Sequence, residues 1–61
     1  MISTKDIRTG SIVIVKGNFG LGWSQLVSVD LVEDNIKNGR PGIEYGRQWA
    51  YLDQVVEVVK Y

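Results

Sequence analysis

Two β-type runs rich in β-branched residues stand out along the chain, and each is joined to a glycine-framed aromatic segment. The first is Ser11-Ile-Val-Ile-Val-Lys16, followed by Gly17-Asn-Phe-Gly-Leu-Gly-Trp23. The second is Gly46-Arg-Gln-Trp-Ala-Tyr-Leu52, followed by Asp53-Gln-Val-Val-Glu-Val-Val59. Ser11–Lys16 is rich in β-branched residues and bounded by glycine, which predicts a strand. Side chains alternate across a strand, so Val13 and Val15 share one face and Ile12 and Ile14 the other. Both faces are apolar. The second pair needs its own cover: the N-terminal arm, another part of the fold or a partner, with burial inside the same chain the simplest.

Trp23 to Glu33 reads as a long second strand, with Val27, Val29 and Leu31 on one face and Ser28, Asp30 and Val32 on the other. Its length calls for a bend or bulge. Asp34 to Gly42 holds two turn signals, Asn-Gly and Pro-Gly, and reads as a surface loop. Ile43–Tyr45 and Gln48–Leu52 flank Gly46-Arg47, a Gly-X pair suited to a type II′ hairpin. That turn sets Tyr45 opposite Gln48, Glu44 opposite Trp49 and Ile43 opposite Ala50. Ile43, Tyr45, Ala50 and Leu52 then share the core face, and Glu44, Trp49 and Tyr51 the outer one. Leu52–Gln54 predicts a short helical turn, and Val55–Tyr61 a closing strand. Ahead of the first strand, Ser3 with Asp6 can cap a helical turn, though the span before Gly10 is too short for a stable helix. The expected architecture is all-β: one domain over residues 1–61, a small, partly open barrel of five strands.

Length sharpens this picture. Sixty-one residues lie at the lower edge of independent folding, where about 60% of the unfolded surface is buried. The stability expected is only about 3–9 kcal/mol. Domains of this size often need a disulfide, a metal or a partner chain. The chain has no cysteine and no histidine, so disulfides and thiolate or imidazole metal sites are excluded. Only oxygen ligands for a hard cation remain. Self-association is the route left for extra stability.

Seven Lys plus Arg balance seven Asp plus Glu. Nonspecific nucleic-acid binders normally carry a positive excess, so neutrality argues against that class unless the cations are locally clustered. No apolar run approaches the ~20 residues needed to cross a bilayer. The N-terminal residues lack the apolar stretch of a secretory signal. A cytoplasmic protein is the expectation.

Enzymatic chemistry finds few tools. Ser24 and Ser28 have no neighbouring base, and Glu44, Asp53 and Glu57 are not forced together by their spacing. A chain this short hardly encloses a substrate cleft. Gly17, Gly20 and Gly22 form G-x-x-G-x-G, which matches neither the Walker A nor the dinucleotide pattern and has no helix after it to hold a phosphate. A structural loop with Phe19 or Leu21 against the core is the simpler reading. No catalytic residue, cofactor or metal is assigned.

The aromatics carry more. Trp23, Trp49 and Tyr51, with Arg40 and Arg47 in adjoining turns, are residue types enriched in interface hot spots. They form the candidate binding set. Its plain counterpart is that the aromatics cover the open edge of the fold while Arg47 solvates a turn.

The cadence Ile7-Arg-Thr-Gly-Ser-Ile-Val-Ile-Val15 resembles the first strand of SH3-like and KOW-type barrels. Tyr51-Leu-Asp-Gln-Val-Val-Glu-Val58 resembles their ending. Ile36-Lys-Asn-Gly-Arg-Pro-Gly-Ile-Glu-Tyr45, with Trp49-Ala-Tyr-Leu-Asp-Gln-Val-Val-Glu57, is similar to short uncharacterised proteins of tailed bacteriophages and prophages. The resemblance implies a bacterial host cell and no established activity, and the basic excess of ribosome-associated KOW proteins is missing. A non-catalytic module that docks a protein partner is therefore the leading expectation. The alternative is single-stranded nucleic acid, with Trp23, Trp49 and Tyr51 stacking on bases and Lys16, Lys37, Arg40 and Arg47 meeting phosphates. Clustering of those four cations on the aromatic face is the feature that would favour the alternative. A third reading is structural, a homodimer built on Ile12 and Ile14 or an edge strand.

Overall fold

The alternation of Ser11–Lys16 resolves into strand β1 (Ile12–Lys16), with Val13 and Val15 buried and Ile12 and Ile14 half-buried on the opposite face. This computed structural model describes residues 2–17 and 24–61. Trp23, Phe19 and Leu21, and the loop reading of residues 18–22, lie outside the described residues. The other strands are β2 (Ser24–Ser28), β3 (Leu31–Lys37), β4 (Arg40–Tyr45), β5 (Gln48–Tyr51) and β6 (Val55–Lys60). They form two antiparallel three-stranded sheets, in the orders β2-β1-β6 and β3-β4-β5. The fold is all-β as expected, but the described residues form six strands rather than five, and the two sheets do not close into a barrel.

The sixth strand comes from a break in the expected Trp23–Glu33 strand. At Val29–Asp30 the chain leaves one sheet and enters the other. Val29 N–H donates to the Ser11 carbonyl (2.8 Å), while Asp30 N–H donates to the Glu44 carbonyl (2.8 Å). The break shifts the side-chain phase by one residue, so Val32, not Leu31, sits opposite the buried Ile43. Leu31 is left 43% exposed. A change of phase moves every following side chain to the other face. Asp30 also accepts the Gly46 N–H at 2.6 Å, tying the break to the β4–β5 turn.

The expected loop over Asp34–Gly42 is instead almost all strand. β3 runs to Lys37, Asn38 and Gly39 make the turn at φ 56° and 73°, and β4 begins at Arg40. Two positive φ values in succession define a type I′ hairpin, the tightest link between antiparallel strands. Pro41 is accommodated inside β4 because no β3 or β5 residue pairs with it. The β3–β4 register slips between Glu33 and Lys37, and the β4–β5 ladder starts at Gly42. Proline lacks the N–H of a ladder bond and is confined to such bulged positions.

The second hairpin follows its sequence. Tyr45 faces Gln48, Glu44 faces Trp49 and Ile43 faces Ala50. Gly46 has φ 61° while Arg47 is not at positive φ, the signature of type II′. Ile43, Ala50 and Leu52 enter the core, and Trp49 stays outside, 42% exposed. Leu52–Gln54 is a 3-10 turn, as is Thr4–Asp6 near the start. In the latter, Ser3 N–H donates to the Asp6 carboxylate (2.8 Å), as its capping pattern predicts.

One core lies between the sheets. Val13, Val15, Val27 and Val55 come from the first, Ile43 and Ala50 from the second, and Ile7, Val29 and Leu52 from the connections. Ser11, fully buried, is the polar exception among the described residues, and its hydroxyl both donates and accepts. Its hydroxyl accepts the Arg8 N–H (2.9 Å) and donates to the main-chain oxygen of Tyr61 (2.8 Å). Arg8 reinforces this latch, donating from Nε to the same oxygen (3.1 Å) and lying 4.3 Å above the Tyr61 ring. Ser11→Ala leaves the Arg8 N–H without its partner and the Tyr61 oxygen with Arg8 Nε alone, so it is expected to lower the unfolding free energy by about 1–3 kcal/mol. A drop in the urea midpoint with an unchanged denaturant slope checks this. No helix among the described residues is long and apolar enough to cross a membrane.

Candidate functional site

The type II′ turn and the β3–β4 hairpin determine where the aromatics go. Trp49 and Tyr51 are two apart on β5, so they share its outer face and meet edge to face, with ring centroids 5.0 Å apart at 85°. The β3–β4 hairpin brings a cation to each ring. Lys37 Nζ lies 5.3 Å over the Trp49 ring and the Arg40 guanidinium 4.0 Å over Tyr51. These distances are those of cation–π contacts, worth about 0.5–1 kcal/mol each when exposed. The result is a ladder from Lys37 through Trp49 and Tyr51 to Arg40.

Secondary contacts hold the ladder's lower end. Arg40 forms an ion pair with Asp53 from the second 3-10 turn, both half-exposed. Exposed pairs contribute about 0–1 kcal/mol, so this one orients the guanidinium more than it stabilises the fold. Asn38 Nδ2 donates to the Tyr51 hydroxyl (3.2 Å), and Asn35 Oδ1 accepts the Gly39 N–H (2.9 Å), fixing the hairpin tip. Gln54 Oε1 accepts the Tyr51 N–H at 3.0 Å, joining β5 to the 3-10 turn.

An open groove of about 930 Å³ runs along this surface. Trp49 and Tyr51 line it, and so do Lys16 at the end of β1, Lys37, Arg40 and Arg47. The one carboxylate in the lining is Asp53, already paired with Arg40. Four cations against one anion leave the groove three charges positive, in a chain whose net charge is zero. Acids border the groove without lining it: Glu44 lies directly across from Trp49 on β4, and with Glu33 and Ile36 it lines a smaller neighbouring hollow that also includes Arg47 and Trp49. Behind the groove, burial pushes the Tyr45 phenol above its usual value near 10.

Of the binding set read from sequence, Arg40, Trp49 and Tyr51 are in direct contact. Arg47 lines the same groove from the β4–β5 turn, and Trp23 is outside the described residues. Arg40 opens β4 rather than sitting in a turn. Asp53, Asn38 and Gln54 were not readable as site residues. Their roles depend on the 3-10 turn and the hairpin tip lying side by side, and no local pattern reports that. Comparison of the chain with protein-family models, with curated proteins and with solved structures finds no match.

Proposed function

We propose that the groove binds single-stranded nucleic acid without catalysis, on a small SH3-like scaffold. The observation that carries this reading is the gathering of Lys16, Lys37, Arg40 and Arg47 around Trp49 and Tyr51. Whole-chain neutrality favours a protein partner only while the charges are averaged; the groove's local excess is what a phosphate chain meets. Exposed aromatic faces beside a basic track are the general solution for unpaired strands, since every base offers a π-face. A base stacking on Trp49 takes the place of the Lys37 ammonium, which then turns to a phosphate. Arg40, stacked on Tyr51 and braced by Asp53, holds its remaining N–H groups toward the groove. The scaffold reading is supported by strand order: with β2 and β3 counted as one kinked strand, the five strands and the 3-10 turn before the last follow the expected sequence.

The test is an amide NMR titration of the labelled protein with a mixed-sequence single-stranded oligonucleotide, at low and at physiological salt. Shifts are expected at Lys16, Lys37–Arg40, Arg47–Tyr51 and Gln54, with a dissociation constant on the order of 10⁻⁴ to 10⁻⁵ M. Three neutralised phosphates give a slope of about −2 in log K against log salt. No shifts at either salt overturn the proposal. Equal shifts with an acidic peptide of the same charge also overturn it, in favour of a protein partner.

A further inference from the structure

The outer face of the β2-β1-β6 sheet lies apart from the ladder and has a pattern of its own. Because Val13 and Val15 point into the core, Ile12 and Ile14 point outward, and the residues paired with them share that face. One row across the sheet reads Leu26, Ile14, Glu57; the next reads Ser28, Ile12, Lys60. Leu26 is 63% exposed. The β1–β6 register slips on either side of the Val13–Ile14 pairs, leaving Val56 and Val59 as extra residues, each about half exposed. The face therefore has an apolar centre and, on one edge, a carboxylate and an ammonium in adjacent rows.

We infer that this face is the interface of a symmetric homodimer, with a second copy of the chain as its occupant. The charge pattern selects that partner. The two rows are about 7 Å apart along the strands. A two-fold axis lying in the interface, crossing the strands midway between the rows at the level of Val13, exchanges them. Ile14 of one copy then rests on Ile12 of the other, and Glu57 meets Lys60 twice, once on each side of the axis. Such an isologous contact needs one patch complementary to itself, and this face is. A face three strands wide buries on the order of 1,000 Å² in total, at the low end of specific interfaces. The dimer is accordingly weak, with a dissociation constant on the order of 10⁻⁴ M.

Sedimentation equilibrium between about 10 μM and 1 mM brackets that value. The chain is expected to pass from monomer to dimer over this range. Leu26→Asp is expected to leave it monomeric. Glu57→Lys alone and Lys60→Glu alone each set like charges against one another and are expected to weaken the dimer about tenfold or more. Mixing these two variants restores opposite charges at both contacts, so a one-to-one heterodimer should form where neither variant self-associates. All three side chains are exposed, and unchanged circular dichroism and melting confirm that the fold is retained. A wild-type chain monomeric at 1 mM overturns the inference and leaves the face to a different protein. A dimer indifferent to all three substitutions also overturns it, pointing to pairing through an edge strand.

Discussion

Gly42→Ala is expected to cost the domain about 3 kcal/mol or more, at the upper end of what overpacking does. The whole domain has only about 3–9 kcal/mol of stability, so the variant is marginal or unfolded at 25 °C. Gly42 is not at positive φ, and its requirement is space. A Cβ there would overlap the Ala50 main-chain oxygen and a methyl of Ile36, and would lie 2.9 Å from Ile36 Cβ. The carbonyl belongs to the β4–β5 hairpin and cannot retreat without breaking its ladder. Ile36 sits over Gly42 because β3 slips its register after Glu33, and the same slip delivers Lys37 to the face of Trp49. A retained fold with Ile36 displaced would therefore still disturb the ladder. Urea unfolding measures the first effect and the amide shifts of Lys37 and Trp49 the second. A midpoint within error of wild type would show that the strand pair yields more readily than its geometry implies. Gly39→Ala, with open space around its missing Cβ, is the contrast. It meets only the strain of φ 73°, on the order of 1 kcal/mol.

Trp49→Ala is expected to weaken oligonucleotide binding about 5- to 150-fold, the range set by 1–3 kcal/mol of stacking per base. Stability should change little, because the ring is 42% exposed and lies outside the core cluster. Trp49→Phe keeps a π-face and should recover part of the loss. Arg47→Glu acts differently: it removes a phosphate contact, so the salt slope becomes shallower by about 0.7 while stacking persists. These two readouts separate the stacking from the electrostatic contribution. If Trp49→Ala binds as tightly as wild type while the basic substitutions abolish binding, the aromatic ladder is structural and the groove is an electrostatic surface only.

Much of this fold follows from local pattern. The valines of Ser11–Lys16 define β1 and its inward face. Gly46-Arg47 determines the turn type, hence the register, hence the outward placement of Trp49 and Tyr51, the first exposed and the second half-buried. Short-range rules suffice there, because a two-residue turn leaves one pairing open to the strands around it. The second expected strand fails for the opposite reason. Nothing in Val27–Leu31 says that the chain leaves one sheet for another at Asp30, since the alternation by itself continues unbroken. The hydrogen bonds that decide it go to Ser11, Glu44 and Gly46, 14 to 18 residues away. Pro41-Gly42 likewise reads as a turn, yet it lies inside β4, because the β3 register slip removes the need for a proline N–H and fills the space above the glycine with Ile36.

The candidate site divides along the same line. Residue types alone single out Arg40, Arg47, Trp49 and Tyr51, and the hairpin register already sends the two aromatics outward. Only the tertiary structure decides that Lys16, Lys37, Arg40 and Arg47, spread over 32 positions of chain, line one groove with them while Glu33 and Glu44 border Trp49 outside that groove. Net charge is a sum and keeps no record of position. The field a ligand meets depends on distance, and within about 10 Å of a surface at ordinary salt it is the nearest charges that count. Sequence therefore determined the first strand, the β4–β5 hairpin with its register, the closing strand and a neutral, cysteine-free composition. The fold decided the sign of the groove, because packing sorts charges that the chain only lists.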